Sequence, residues 1–246
     1  MKFKISQSAL RDFYNPNYCK IKWKEVYVKG NRTEPTDAMM DGLVFEQKVI
    51  GLSRGGEVYE IPRLKNGKQS KRELDLEKLS INAKEMINNL DIEILDVQPE
   101  WIVEDLIGHP DCLITYKGHK AIMDLKYTAV KEDDSCKYNP YAWDDLDYKD
   151  FRQALHYVLM YYKMYNVYLP FIYLVFGKSG WVKVISLDIT QLSMEDYMML
   201  IGQFRIDYRK FNKKSPAPID NFSICRKCKL ECKKRSVKPK IINYEL

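Results

Sequence analysis

The chain has no long apolar run. Leu169 to Phe176, an apolar stretch late in the chain, is strand-length, well short of the roughly 20 residues a membrane-spanning helix needs. No membrane association is therefore expected. Met1-Lys2-Phe3-Lys4-Ile5 leads straight into polar residues without an apolar h-region, so no secretory signal is expected and the cytoplasm is the expected compartment. There is no internal repeat and no low-complexity segment, which excludes solenoid and array architectures. Histidine is scarce, at three residues. His109 and His156 stand alone in their segments and read as structural side chains rather than ligands. Among the six cysteines, Cys112 and Cys136 have no partner by spacing. In a reducing compartment a cysteine cluster reads as metal binding rather than as disulfides.

What is present is the composition of a globular protein, 46% hydrophobic and 30% charged over 246 residues. That length allows one large domain with a sizeable core. Tyrosine is abundant, and the formal charge of +6 suits a polyanionic partner without requiring one.

Ser6 or Ser8 would cap a short helix with Leu10 and Phe13 on its apolar side, ended by Asn15-Pro16-Asn17. A second helix is expected over Met39 to Ile50 and a third over Leu74 to Leu90, where Leu76, Leu79, Ala83, Ile87 and Leu90 keep helical spacing. Between them, Arg63 to Arg72 reads as an exposed basic loop. The period then changes. Ile92 to Leu95 and Trp101 to Val103 look extended, and Leu106 to Tyr116 and His119 to Tyr127 form two strands joined at Lys117-Gly118. After a polar loop from Lys131 to Asp147 come a helix over Phe151 to Val167, strands over Phe171 to Phe176 and Trp181 to Leu187, and a helix from Thr190 to Phe211. This order predicts a mixed α/β (α+β) domain, a central mixed sheet flanked by helices.

The chemistry concentrates in Gly108-His109-Pro110-Asp111 and Ile122-Met123-Asp124-Leu125-Lys126. Alternate side chains of a strand share a face, so Asp124 and Lys126 point together and Leu125 turns away. A hairpin pairing brings Asp111 near Asp124. Two converging carboxylates repel unless a cation lies between them, and Mg²⁺ or Mn²⁺ takes such hard oxygen ligands. An adjacent lysine can orient or deprotonate water, or neutralise a phosphoryl group. Taken alone, Asp-x-Lys is ordinarily a solvated charged face. Here the apolar run Ala121-Ile122-Met123 predicts a buried strand, in which a charge needs a reason. Glu46 alone reads as a surface glutamate. Tyr157 reads equally as a core aromatic beside Tyr161 and Tyr165. Gln153 and Tyr157, four apart, share one helix face.

The pattern Gly108-x-x-Asp111 followed by Asp124-x-Lys126 resembles the RecB-type branch of the PD-(D/E)xK nuclease superfamily. Gly42-Leu43-Val44-Phe45-Glu46 resembles that family's helix bearing Gly-x-x-x-(His/Glu), with Glu46 where many members have histidine. Gln153-Ala154-Leu155-His156-Tyr157 resembles its Gln-x-x-x-Tyr helix. The resemblance implies a restriction-endonuclease-like core and metal ligation by Glu46, Asp111, Asp124 and the carbonyl of Leu125. It assigns Lys126 to the nucleophile or the developing charge, and Gln153 and Tyr157 to positioning the strand. The expected activity is Mg²⁺- or Mn²⁺-dependent deoxyribonuclease action, as an exonuclease on DNA ends or single strands. The settings it implies are recombination, repair, phage DNA processing or CRISPR adaptation, in a bacterial or phage-infected cell. The rival expectation is a nuclease-fold protein that binds DNA or regulates a recombination or adaptation partner without turnover.

Cys225-x-x-Cys228-x-x-x-Cys232 is a dense trio with Cys19 far upstream. This arrangement resembles the iron–sulfur nucleases of CRISPR adaptation and the AddB-type subunits, where one cysteine precedes the core and three follow it. The resemblance implies a single domain over 1–246, stapled by a metal held between Cys19 and the 222–235 tail. The last cysteine gap is narrower than the family's, and four thiolates suit either a [4Fe–4S] cluster or Zn²⁺. The basic segments Lys65 to Arg72 and Lys213 to Lys240 would contact phosphate, and Tyr127, Tyr138, Tyr141 and Trp143 would stack on bases or pack within a loop.

Overall fold

The computed structural model describes residues 3–31, 34–52, 56–130, 143 and 149–213. The chain divides into two compact units, one of 1–34 with 198–246 and one of 35–197, the second division falling within the last helix.

The larger unit carries the sheet. Helix α3 (Asp37–Ile50) starts where Thr36 accepts from the Met39 N–H and stops at Gly51, whose φ of +81° suits glycine. Helix α4 (Lys71–Asn89) starts at Ser70, which accepts from the Glu73 N–H in a Ser-x-x-Glu frame. The main sheet has five strands in the order β1 (Ile92–Val97), β4 (Cys112–Tyr116), β5 (His119–Thr128), β6 (Phe171–Gly177), β7 (Val182–Leu187). Only β5 and β6 run parallel; the other neighbours are antiparallel. A parallel pair needs a crossover, and α5 (Arg152–Tyr165) lies within it.

One face of the sheet packs on α3 and α4. Val44, Phe45 and Val49 with Leu76, Leu79, Ala83 and Ile87 meet Cys112, Ile114, Met123, Leu125, Ile172, Leu174 and Phe176. The opposite face meets α5, whose Gln153 bonds Asp124 and whose Tyr157 stacks on Phe171. With both faces covered, every residue of β6 is buried. A two-stranded ribbon, β2 (Trp101–Val103) with β3 (Leu106–Gly108), lies beside α5 through Trp101, whose ring meets Tyr157 and Tyr161.

The smaller unit holds α1 (Gln7–Tyr14), α2 (Lys20–Trp23) running into a π-helical turn (Lys24–Val28), and most of α6 (Gln191–Asn212). Trp23 is fully buried, edge-on to Phe13 at 5.1 Å and to Phe211 at 5.6 Å, with its indole N–H on the Ala9 carbonyl.

The mixed sheet flanked by helices is the fold class expected from the sequence. Three local expectations are corrected. Leu106 to Tyr116 is two strands, not one: Pro110 has no N–H for the ladder, and β3 joins β2 while β4 joins the main sheet. Residues 20–28 are helical although no element was expected there; burial of Trp23 outweighs the weak local pattern. Helix α4 begins at Lys71, so Arg72 belongs to a helix rather than to a basic loop, and it bonds Asp41 and Asp37 of α3.

Candidate active site

Strand alternation sends Met123 and Leu125 into the α3/α4 core and turns Asp124 and Lys126 to the α5 side. Asp124 is 0% exposed and Asp111 1%. Buried carboxylates require strong partners. Oδ1 of Asp124 accepts from Gln153 Nε2 at 2.7 Å, out of the first turn of α5. Its Oδ2 pairs with the Lys126 ammonium, which is 30% exposed and so remains reachable. Tyr173 stands opposite Asp124 in the β5/β6 register, with its ring centroid 5.7 Å from Lys126 Nζ. Burial, and then the charge of Asp124, hold the Tyr173 hydroxyl well above its ordinary pKa.

Asp111 lies just before β4. The pairing Cys112 to Met123, carried one residue further, sets it opposite Asp124. Leu125 is past the end of β4, so no strand backbone meets its N–H there. Oδ2 of Asp111 accepts that N–H at 2.8 Å. In an extended strand the N–H and C=O of one residue point to the same edge, so the Leu125 carbonyl opens on the Asp111 side. The Asp111 carbonyl accepts from Gln98 N at 2.8 Å.

Glu46 comes from α3, and its Oε1 accepts from Gln98 Nε2. The Cys112 thiol, buried in the core, registers all three carboxylates. Burial raises its pKa most, followed by the charges of Asp111, Glu46 and Asp124. Each carboxylate is turned to a protein donor, and among the described residues no three His, Cys, Asp or Glu side chains are gathered into a metal-holding group. The chemistry of the donors still fits a hard divalent ion. Glu46, Asp111 and Asp124 supply carboxylate oxygens, Asp124 being paired with Lys126, and the side-chain oxygen of Gln98 is buried without a hydrogen-bond partner among the described residues.

The motif's other residues hold the frame. The hydroxyl of Tyr157 donates to the His109 carbonyl at 3.0 Å, bracing the turn that carries Asp111. Gly108 is required sterically, since a Cβ there would stand 2.9 Å from both Met160 and the Tyr157 ring. Gly42 has open space at that position. Trp143 packs 5.4 Å from Tyr173. Cys19 is half-buried and forms no disulfide among the described residues; Cys136, Cys225, Cys228 and Cys232, like Tyr138 and Tyr141, lie outside the described residues. Gln98 and Tyr173 were missed in the sequence: Tyr173 hides in an apolar run, and the only mark on Gln98 is the proline after it.

His156 is structural and carries a pH signature. Its Nε2 can only donate to the Ile107 carbonyl (3.0 Å), so Nδ1 accepts from the Tyr197 hydroxyl (2.9 Å). Burial pushes its pKa down to about 4. The unfolded chain takes up this proton near pH 6.5, so between 6.5 and 4 the unfolded state binds more protons. The contribution is full above 6.5 and is lost as pH falls toward 4, on the order of 3 kcal/mol in all. Denaturant midpoints from pH 7 to 5 should fall for the wild type and fall less steeply for His156→Gln. Equal slopes would remove His156 as the cause.

No family model matches the sequence, and no curated protein does. Among solved structures, the crystal structure of a candidate exonuclease from Eubacterium rectale superposes with a TM-score of 0.68 at 17% identity, covering 97% of this chain and 91% of that one. Among the described residues no helix is long and apolar enough to cross a membrane. The likeness to the Eubacterium rectale protein is one of fold.

Proposed function

We propose that the chain is a divalent-metal-dependent DNA nuclease of the PD-(D/E)xK type, RecB branch, acting as an exonuclease on DNA ends or single strands. The observation that carries this reading is Asp124: a fully buried carboxylate on a central strand, shared between Gln153 and Lys126, with Asp111 fastened to the next residue's N–H. The fold shared with a candidate exonuclease supports it.

Glu46, Asp111, Asp124 and the Leu125 carbonyl would hold Mg²⁺ or Mn²⁺. The ion supplies Lewis acidity toward a phosphoryl oxygen and a source of nucleophilic water. Gln153 fixes one oxygen of Asp124 and thereby its orientation. The Lys126 ammonium, held at the edge of the site by Asp124, meets the attacking water or the charge developing on phosphorus. Tyr157 keeps the Asp111 turn in place. Cys19 with Cys225, Cys228 and Cys232 would hold a [4Fe–4S] cluster or Zn²⁺, a structural element on which these steps do not depend.

End-labelled single- and double-stranded DNA, incubated with Mn²⁺ or Mg²⁺, should shorten progressively from an end, and EDTA should stop it. Binding without cleavage at any divalent concentration would favour a DNA-binding or partner-regulating protein instead.

A further inference from the structure

We infer that Gln98 is a positioning residue of this site, holding Glu46 with its amide nitrogen and offering its amide oxygen to the cation or its water shell. The inference rests on the metal-dependent reading above and adds a residue to it.

Strand β1 places Gln98 by an irregularity. Ile92 and Ile94 face the α3/α4 core at the usual spacing of two, but the register shifts between Ile94 and Asp96, and Val97 takes the next core position. The bulge thus takes Gln98 out of phase with the core-facing residues. Gln98 then leaves the strand with a φ of +48°, a left-handed conformation that side chains other than Gly, Asn and Asp seldom adopt. Its N–H closes on the Asp111 carbonyl at 2.8 Å, and its Nε2 donates to Glu46 Oε1. One residue therefore ties the Glu46 carboxylate on α3 to the backbone of Asp111.

The amide orientation is set by charge. Reversed, its oxygen would oppose the carboxylate of Glu46. In the assigned orientation Oε1 is buried and has no hydrogen-bond partner among the described residues. A strained backbone and an unsatisfied buried oxygen on one residue is a combination that persists where it serves a site. An amide oxygen is a neutral, hard donor of the kind Mg²⁺ and Mn²⁺ accept. A purely structural role would be met by the backbone N–H and by the bond from Nε2 to Glu46, and leaves the buried Oε1 without a use.

The test is Mn²⁺ affinity by isothermal titration calorimetry, with melting temperature beside it. Gln98→Asn tolerates the left-handed backbone but withdraws the amide by one methylene. It should weaken Mn²⁺ binding by about tenfold or more while melting near wild type without metal. Gln98→Glu sets a carboxylate against Glu46. It should melt below wild type without metal and gain more from saturating Mn²⁺ than wild type does. Wild-type affinity in Gln98→Asn, or a wild-type Mn²⁺ gain in Gln98→Glu, overturns the inference. If Asp124→Asn loses Mn²⁺ binding while Gln98→Asn keeps it, the role of Gln98 alone fails. If the wild type binds no Mn²⁺, the metal-dependent reading fails and Gln98 falls with it.

Discussion

Lys126→Ala is expected to fold and to cleave DNA more slowly by about two to four orders of magnitude, the range for loss of a positioned proton-transfer or charge-stabilising group. The lysine's stem rises from a buried strand while its ammonium remains accessible, so the group can meet substrate without carrying the core. An interaction made mainly in the transition state lowers kcat and kcat/KM together and leaves KM nearly unchanged. Loss of the ammonium also leaves Asp124 buried beside Gln153 with one charge fewer to balance it. Breaking a fully buried pair costs about 3–5 kcal/mol, and the partial exposure of Lys126 places the cost below that range. Circular dichroism and melting with Mn²⁺ present therefore accompany the kinetics. Lys126→Arg keeps the charge but replaces a point cation by a planar fork, and should recover part of the rate. A folded Lys126→Ala within a few-fold of wild type would take this residue out of the chemistry.

The elements that position Lys126 were legible because each follows a local rule. Two-residue alternation in β5 sorts Asp124 and Lys126 from Met123 and Leu125 without reference to any partner strand. The Lys117-Gly118 turn was legible as well, and both residues take positive φ, +49° and +80°, as a tight hairpin turn demands. What escaped depends on distant contacts. The turn between β2 and β3 puts Glu104 at φ +55°, a residue type that gives no turn signal, so the pairing of these two short strands was not legible. The β1 bulge has no mark in the sequence at all, so the exit of Gln98 toward Glu46 could not be foreseen. Tyr173 sits between Phe171 and Leu174, where a polar hydroxyl is indistinguishable from core. The motif residues thus named the site's charges, while the groups that orient those charges emerged only from register and packing.

Asp124→Asn is expected to abolish cleavage, to remove most of the stabilisation that Mn²⁺ gives the wild type, and to leave DNA binding in place. The substitution keeps the side chain's shape at a position with no exposure, so the surrounding packing of β5 on α5 is undisturbed. Its chemistry changes in two ways. One oxygen becomes an NH₂ group, which can accept neither from Gln153 nor from Lys126, the two donors that meet Asp124 now. One negative charge also leaves a site whose affinity for a hard cation rests on carboxylate oxygens. An ion that binds only the folded state stabilises it by mass action, about 2.7 kcal/mol at a hundred times its Kd. For a chain of this size that is a rise in Tm on the order of 5–10 °C. The rise should collapse in Asp124→Asn, because the wild-type Kd no longer applies. DNA retention should survive, since phosphate attraction comes from lysines and arginines spread over the chain rather than from Asp124, and it should weaken with added salt in both proteins alike. The measurement is paired: Tm against Mn²⁺ concentration, and gel-shift retention of labelled DNA, for wild type and variant. An equal Mn²⁺-induced rise in both, with cleavage preserved in the variant, would remove Asp124 from the site and the metal-dependent reading with it.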